Sequence, residues 1–338
     1  MKFVHGLIVV CVLAFNPAFA ESLVTSGYQE VVFSVSNLAD YQAFFEETAA
    51  WDVIEIGKVS RSQLEAWGLD AAVTASEVLL GNAESARGFV RLVDFDGAEQ
   101  QQIRSSAQPW DTGGWFDVNS RILSMSKKFS EFQALGWQAA SDPVEFTFGP
   151  FVVKEWLARG PDGIVIAMIE RVAPPLEGWP NIREMSRFFN ATQMVPDIAA
   201  ARDFYINKLG FEAYLHHNGA SAEPGPNVLG IPYNLADDIV RNVSIVHPQG
   251  LNEGSVELLS YDGLQGADWS ARAKPPNLGI LMLRFPVADI DAFYQHVQNE
   301  EIEIAYPPAV IRIEPYGKLK IMAVRGPGGA WLEFFEAQ

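Results

Sequence analysis

Three segments of this 338-residue chain recur at nearly one spacing, and that duplication constrains the fold more than any other feature. Arg159-Gly-Pro-Asp-Gly163 returns as Arg325-Gly-Pro-Gly-Gly329, and Asp94-Phe-Asp-Gly97 returns as Ser260-Tyr-Asp-Gly263, both 166 residues later. Ser36 to Phe45 returns as Pro196 to Tyr205, 160 residues later. The chain therefore reads as a unit of about 160 residues present twice, with the Pro-rich stretch Ala173 to Pro180 at the join. Each half divides again into an apolar strand, a capping residue, an amphipathic helix and β-rich sequence. Asn37, Asp197 and Asp289 stand where a side-chain oxygen caps a helix start. Behind them Tyr41, Phe44 and Phe45, then Ile198, Ala201, Phe204 and Tyr205, then Ile290, Phe293, Tyr294 and Val297 fall at helical spacing. The second quarter follows the same plan with Met125, Phe129 and Phe132. The expected fold is α+β, four βαβββ modules in series, with domains at 21–172 and 183–338 joined by a linker over 173–182.

The first twenty residues have the form of an export signal. Lys2 gives a positive start, Leu7 to Phe15 a short apolar run, and Ala18-Phe19-Ala20 a small-residue cleavage site. That run is about half the ~20 residues needed to span a bilayer, so the expected product is periplasmic or secreted, with no membrane attachment after cleavage. Cys11, the one cysteine, leaves with the signal, which removes disulfides, thiolate metal sites and cysteine nucleophiles from the mature chain. A net charge of −18 argues against nucleic acid, whose phosphates need lysines and arginines. A small-molecule ligand, and a monomer or homodimer, are the expected partners. Nucleotide-loop, nucleophile-elbow and zinc-protease motifs do not occur.

Met194 to Phe211, reading Met-Val-Pro-Asp-Ile-Ala-Ala-Ala-Arg-Asp-Phe-Tyr-Ile-Asn-Lys-Leu-Gly-Phe, and Arg325 to Phe335, reading Arg-Gly-Pro-Gly-Gly-Ala-Trp-Leu-Glu-Phe-Phe, carry a resemblance. With the duplication around them, the chain resembles the vicinal-oxygen-chelate superfamily over roughly residues 28–337: the glyoxalases, bleomycin-resistance proteins and extradiol dioxygenases. The resemblance implies paired modules curled into cup-shaped half-barrels, each able to hold a divalent metal and a small substrate. Such a fold serves many chemistries, so function has to come from the residues in the cups.

In metal-using relatives the ligands sit in the first and last strands of each module. The matching positions here are Glu30, Asp117, Asn190 and Met282 in first strands, and Arg91, Ala167, Glu257 and Glu333 in last strands. No histidine occupies any of the eight, which removes the two-histidine, one-carboxylate set that extradiol cleavage needs. Each half is expected to form one cup, and the second half's cup holds Glu257, Glu333 and Asn190. Those oxygens suit one hard divalent ion of the Mg, Mn or Ca type, or no metal at all. The glyoxalase-like reading makes Glu257 and Glu333 the catalytic pair, as ligand and base. In the first half, a fixed cation at Arg91 would repel a metal and pair instead with Glu30 or Asp117.

Arg284 lies two residues beyond Met282 on the same strand face and is a candidate for an anionic substrate group, or for a salt bridge to Glu257 or Glu333. Arg121 has the same claim in the first cup. His216 and His217 are adjacent on a strand, so one points inward, and His216 is a candidate substrate contact; His247 ends a strand and His296 lies on an exposed helix face. The Gly/Pro-rich stretch Gly219 to Pro232 reads as a lid. Two functions remain open: a lyase or isomerase acting on a small oxygenated metabolite in the second cup, or a metal-free binding protein of the bleomycin-resistance kind.

Overall fold

A computed structural model describes residues 23–337 apart from 83, 106, 107, 180 and 222, so the export segment lies outside the described residues. Module one runs β1 (Glu30–Ser34), α1 (Leu38–Phe44), β2 (Asp52–Lys58), α2 (Arg61–Ala66), β3 (Thr74–Gly81) and β4 (Phe89–Asp96). Module two runs β5 (Asp117–Ile122), α3 (Met125–Ala134), β6 (Val144–Phe148), β7 (Phe151–Arg159) and β8 (Val165–Ala173). Module three runs β9 (Asn190–Met194), α4 (Ile198–Arg202), β10 (Glu212–Gly219), β11 (Arg241–His247) and β12 (Ser255–Tyr261). Module four runs β13 (Gly279–Pro286), α5 (Ile290–Asn299), β14 (Ile304–Ile313), β15 (Gly317–Arg325) and β16 (Trp331–Ala337). Four βαβββ modules are therefore present, and the fold is α+β.

The repeated sequence makes a repeated joint. Asn37, Ser124, Asp197 and Asp289 each accept backbone N–H bonds at the start of α1, α3, α4 and α5. In three modules a carboxylate at or near the end of the last strand reaches the same turn. Asp94, Glu170 and Glu336 accept from the N–H of Leu38, Met125 and Ile290 at 3.4, 2.6 and 2.9 Å. Negative charge at a helix N-terminus is favourable, so these residues tie each helix to the last strand of its own module, which pairs with the first. The Arg-Gly-Pro repeats form matching turns, with Asp162 at φ 59° and Gly328 at φ 64°.

The modules pair across the halves, not within them. Modules one and four share one eight-stranded sheet, ordered β14-β15-β16-β13-β1-β4-β3-β2, and modules two and three share the other, ordered β10-β11-β12-β9-β5-β8-β7-β6. Each sheet is joined through first strands, β1 antiparallel to β13 and β5 antiparallel to β9. The chain crosses between sheets after β4 and after β12, so the 173–182 stretch connects two modules of one sheet. The half-by-half cups expected from the sequence are thus corrected. Every module offers the same open edge on its first strand, and nothing local to a module selects its partner.

The convex faces of both sheets and the helices between them make the main core. Val31, Phe33, Leu283 and Leu332 meet Val118, Ile166, Ala191 and Leu258 there. Phe44 stacks on Trp137 at 4.7 Å and meets Phe132 edge-on at 5.0 Å, locking α1 to module two. The central strands β1, β5 and β9 are buried along nearly their whole length, whereas the edge strand β2 alternates exposed and half-buried residues. The two concave faces are left free to hold a site.

Candidate functional site

The concave face of the first sheet is closed. β1 puts Glu30 opposite Arg284 of β13, and Arg284 lies opposite Glu333 of β16. Arg284 Nη1 donates to Glu30 Oε1 at 2.5 Å and its Nε to Glu333 Oε2 at 2.5 Å. Arg91 Nε donates to Glu30 Oε1 at 2.8 Å, and its Nη1 lies 3.1 Å from Glu77 Oε2, off the line for a hydrogen bond. The remaining carboxylate lone pairs are taken by neutral donors. Trp67 Nε1 and Tyr306 Oη reach Glu333 Oε1 at 2.7 and 2.8 Å, and Tyr316 Oη reaches Glu30 Oε2 at 2.9 Å. Helix α2, which the sequence did not announce, brings Gln63 and Leu64, with Trp67 just beyond it, over the mouth of this cup. Burial pushes Glu30 up, but Arg91 and Arg284 overcome it and hold the carboxyl down at about 2. Glu30, Arg91 and Glu333 are wholly buried.

The second sheet stays open. Its floor is β5, β8, β9 and β12, its walls are the β6–β7 and β10–β11 hairpins, and the loop 220–240 covers it. A cavity of about 810 Å³ remains, lined by Phe146, Phe151, Leu215, Leu229, Arg241 and Tyr261 among others. The loop is anchored from both sides. Leu229 and Ile231 pack with Phe116, Leu157, Val165 and Met194. Asn227 clasps Ile231, accepting from its N–H at 2.9 Å and donating to its carbonyl at 2.7 Å. Gly230, at φ 67°, sits where a Cβ would lie 2.4 Å from the Ala140 carbonyl oxygen. Gly219 to Pro232 thus belongs to a lid, as the sequence suggested.

Strand alternation brings Asp117, Glu155 and Glu257 to the inner face of this cup. Burial raises Glu257, and neighbouring Glu155 adds to the effect against the pull of Arg241, leaving the carboxyl at about 7. Asp117 and Glu155 are raised as well, chiefly by burial. Arg121 is pushed down to about 10 by burial and by the like charge of Arg171. The Nε atoms of Arg121, Arg171 and Arg241 are buried with no hydrogen-bond partner among the described residues. Arg121 lies 4.5 Å over the Phe189 ring, and Arg171 lies 3.8 Å over Phe151.

The candidate residues are accordingly redistributed. Glu257 and Asn190 lie in the open sheet, and Glu333 and Arg284 in the closed one, so the expected catalytic pair Glu257–Glu333 does not share a cup. Arg284 bridges two carboxylates and is not a ligand contact. Arg121 stays a candidate, now in the same cup as Glu257. His216 and His217 both border the cavity on the exposed strand β10, with His216 Nδ1 3.2 Å from the Val243 carbonyl oxygen. His247 is buried and held down at about 4 by burial, its Nδ1 accepting from the Gln249 N–H. His296 is half-buried, its Nε2 2.6 Å from the Lys208 carbonyl oxygen, where the sequence suggested an exposed ring. Glu155, Arg171 and Arg241 went unnoticed in the sequence. Period-two alternation from Phe151 and Val153, from Ala167 and Ile169, and from Val243 would have placed all three inward.

Neither cup presents a metal-binding set. In the closed cup Arg91 and Arg284 occupy the space between the carboxylates. In the open cup Ala167 offers no donor, and the Asn190 side chain is spent, accepting from Asn119 Nδ2 at 2.8 Å and donating to Ser255 Oγ at 2.8 Å. Among the described residues no three His, Cys, Asp or Glu side chains gather as a metal site would require. The expected ion held by Glu257, Glu333 and Asn190 does not fit this arrangement.

No curated protein matches the chain in sequence. Among solved structures, glyoxalase I from Zea mays superposes with a TM-score of 0.59 at 13% identity, covering 93% of each chain. A putative dioxygenase from Bacillus subtilis subsp. subtilis str. 168 superposes with a TM-score of 0.55 at 13% identity, covering 94% of this chain and 86% of that one. At such identities the likeness is one of fold. Residues 187–334, modules three and four, match the family model of the Glyoxalase/Bleomycin resistance protein/Dioxygenase superfamily. The last two modules thus match that family model, and the chain as a whole shares the two-cup fold of glyoxalase I.

Proposed function

We propose that this is an exported protein that takes up a small organic molecule in the cup formed by modules two and three, without a metal. One observation carries the reading. Two cups of the same design stand in one chain; among the described residues the first is filled by its own buried charges, and this one keeps a cavity of about 810 Å³ under a lid. That volume lies in the range of small-ligand sites, and an apolar lining with a few polar groups is their usual character. Export rests on the signal-like features of residues 1–20, and N-terminal sequencing of protein from the extracytoplasmic fraction checks it, with Glu21 as the expected first residue.

A second reading is favoured by Glu257. A half-buried carboxyl at about 7 is matched to proton transfer near neutral pH, which would make the protein a lyase or isomerase with Glu257 as its single acid–base group. One experiment addresses both readings. A library of small organic compounds is screened by thermal shift on wild type and on Leu215→Trp, which fills the cavity from its wall. Hits on wild type that vanish in Leu215→Trp support the cup; hits unaffected by it refute the cup as the site. Bound compounds are then followed for conversion, where loss of turnover with retained binding in Glu257→Gln supports catalysis.

A further inference from the structure

We infer that the open cup is built for an organic anion, whose carboxylate is held between the guanidinium groups of Arg121 and Arg171 while its apolar body lies along Phe146, Phe151 and Leu229. This deepens the proposed function and rests on it.

In this acidic chain, with 42 Asp+Glu against 24 Lys+Arg, Arg121, Arg171, Arg202 and Arg241 form no ion pair among the described residues, and unpaired like charges are expected to lie apart. Two such arginines nevertheless stand side by side on one face. Arg121 of β5 lies opposite Ile169 of β8, and Arg171 follows two residues later on the same side of that strand. Neither forms an ion pair among the described residues, and the buried Nε of each has no acceptor. Two like charges brought together on a half-buried face are unfavourable until an anion arrives.

Arg121 and Arg171 rest over Phe189 and Phe151, 4.5 and 3.8 Å from the ring centroids, and the Nε of each keeps its donor unused among the described residues. Phe151 also lines the cavity, so the ring over which Arg171 lies is part of the apolar wall, and Arg171 stands next to that wall. A planar, bidentate acceptor such as a carboxylate is the group that two adjacent guanidinium forks recognise best. The acids on the same face do not take this role. Glu155 is the carboxyl nearest in register, lying opposite Ile169 from β7; its charge attracts Arg121, but it makes no ion pair with either arginine among the described residues. An apolar wall with cations just beyond it selects an amphipathic anion over both a neutral apolar compound and a small polar anion.

Matched probes test this. Affinities of 2-naphthoate and of uncharged 2-naphthamide are measured by calorimetry at low salt on wild type, Arg171→Gln and Arg121→Gln/Arg171→Gln. The expected result is naphthoate at least tenfold tighter than naphthamide on wild type, with the preference reduced by Arg171→Gln and absent from the double variant, whose affinity for naphthamide is unchanged. The wild-type ratio needs no variant, so a double variant that failed to fold would not rescue the idea. Equal affinities on wild type, or a preference that survives in the folded double variant, would overturn the anion site and leave the cup reading standing. Binding of neither probe at millimolar concentration would overturn both.

Discussion

In the closed cup two arginines meet three carboxylates within hydrogen-bond or ion-pair distance, whereas in the open cup three arginines and three carboxyls share a face without one ion pair among the described residues. Both cups come from the same module, so the difference lies in individual side chains. An arginine at the last-strand ligand position of module one, Arg91, and another beside the first-strand position of module four, Arg284, convert one cup into a self-satisfied buried network. An alanine at the corresponding last-strand position of module two, Ala167, leaves room in the other. Helix α2 and Trp67 then seal the first cup, while a loop with a glycine pivot roofs the second. The contrast teaches that a duplicated site can be retired by matching its charges internally, leaving its twin free to respond to a ligand.

The largest expected effect lies in the closed cup. Arg284→Met leaves the buried Glu333 without a cation and Glu30 with Arg91 alone, and breaking a buried pair from one side typically costs about 3–5 kcal/mol. Arg241→Met in the open cup removes a cation that forms no ion pair, and its expected effect is within about 1 kcal/mol. Thermal unfolding of the two variants beside wild type reads the difference directly. Equal losses would mean that the charges of the open cup are as structural as those of the closed one, and the comparison would collapse.

A smaller effect, opposite in sign between the cups, is expected in the pH dependence of stability. Glu30 is held at about 2 against an ordinary 4.5, so its stabilisation is present above pH 4.5 and lost as pH falls toward 2. Glu257 is held at about 7 against the same 4.5, so its contribution is fullest below pH 4.5 and is lost as pH rises through 7. Each shift corresponds to about 3 kcal/mol at most. His247, held neutral at about 4 against 6.5, works with Glu30, its contribution present above pH 6.5 and lost as pH falls toward 4. The quantity to read is therefore wild type minus Glu257→Gln between pH 4.5 and 8. A difference that does not change with pH would show that Glu257 is ionised and solvated, removing the case for it as an acid–base group.

The legible part of this molecule in the sequence was the part fixed by local chemistry. Asn37, Asp197 and Asp289 announce helix starts because a short side-chain oxygen must satisfy free N–H groups there, and all three do so. The pairing of Arg91 with Glu30 followed from repulsion between a fixed cation and a metal, and the Glu333 partner of Arg284 was one of two foreseen. What stayed hidden was the assignment of modules to cups. Pairing β1 with β13, not with β5, is decided by contacts more than 200 residues apart, such as Glu30 opposite Arg284. Once that assignment was missed, Glu257 and Glu333 seemed to be partners. Glu155 and Arg171 were legible in principle, because alternation along β7 and β8 turns them inward, but they match no ligand position of the superfamily and so attracted no attention.

The smallest expected effect tests whether the lid is what keeps the two cups different. Gly230 holds a positive φ at the point where the loop 220–240 touches Ala140, and an added Cβ would meet the Ala140 carbonyl oxygen at 2.4 Å. Gly230→Ala therefore combines backbone strain of about 1 kcal/mol with a collision against main chain that cannot move aside cheaply. The cheapest relief is for the lid to lift, because Leu229 and Ile231 anchor it through one small cluster, whereas the cup beneath is held by a full set of sheet hydrogen bonds. Hydrogen exchange should quicken across 221–239 with little change in β5, β8, β9 or β12, and ligand dissociation should accelerate while the melting temperature shifts by a few degrees at most. Loss of protection throughout the second sheet instead would make the lid part of that cup's core, as α2 is of the other, and the two cups would then differ in charge pairing alone.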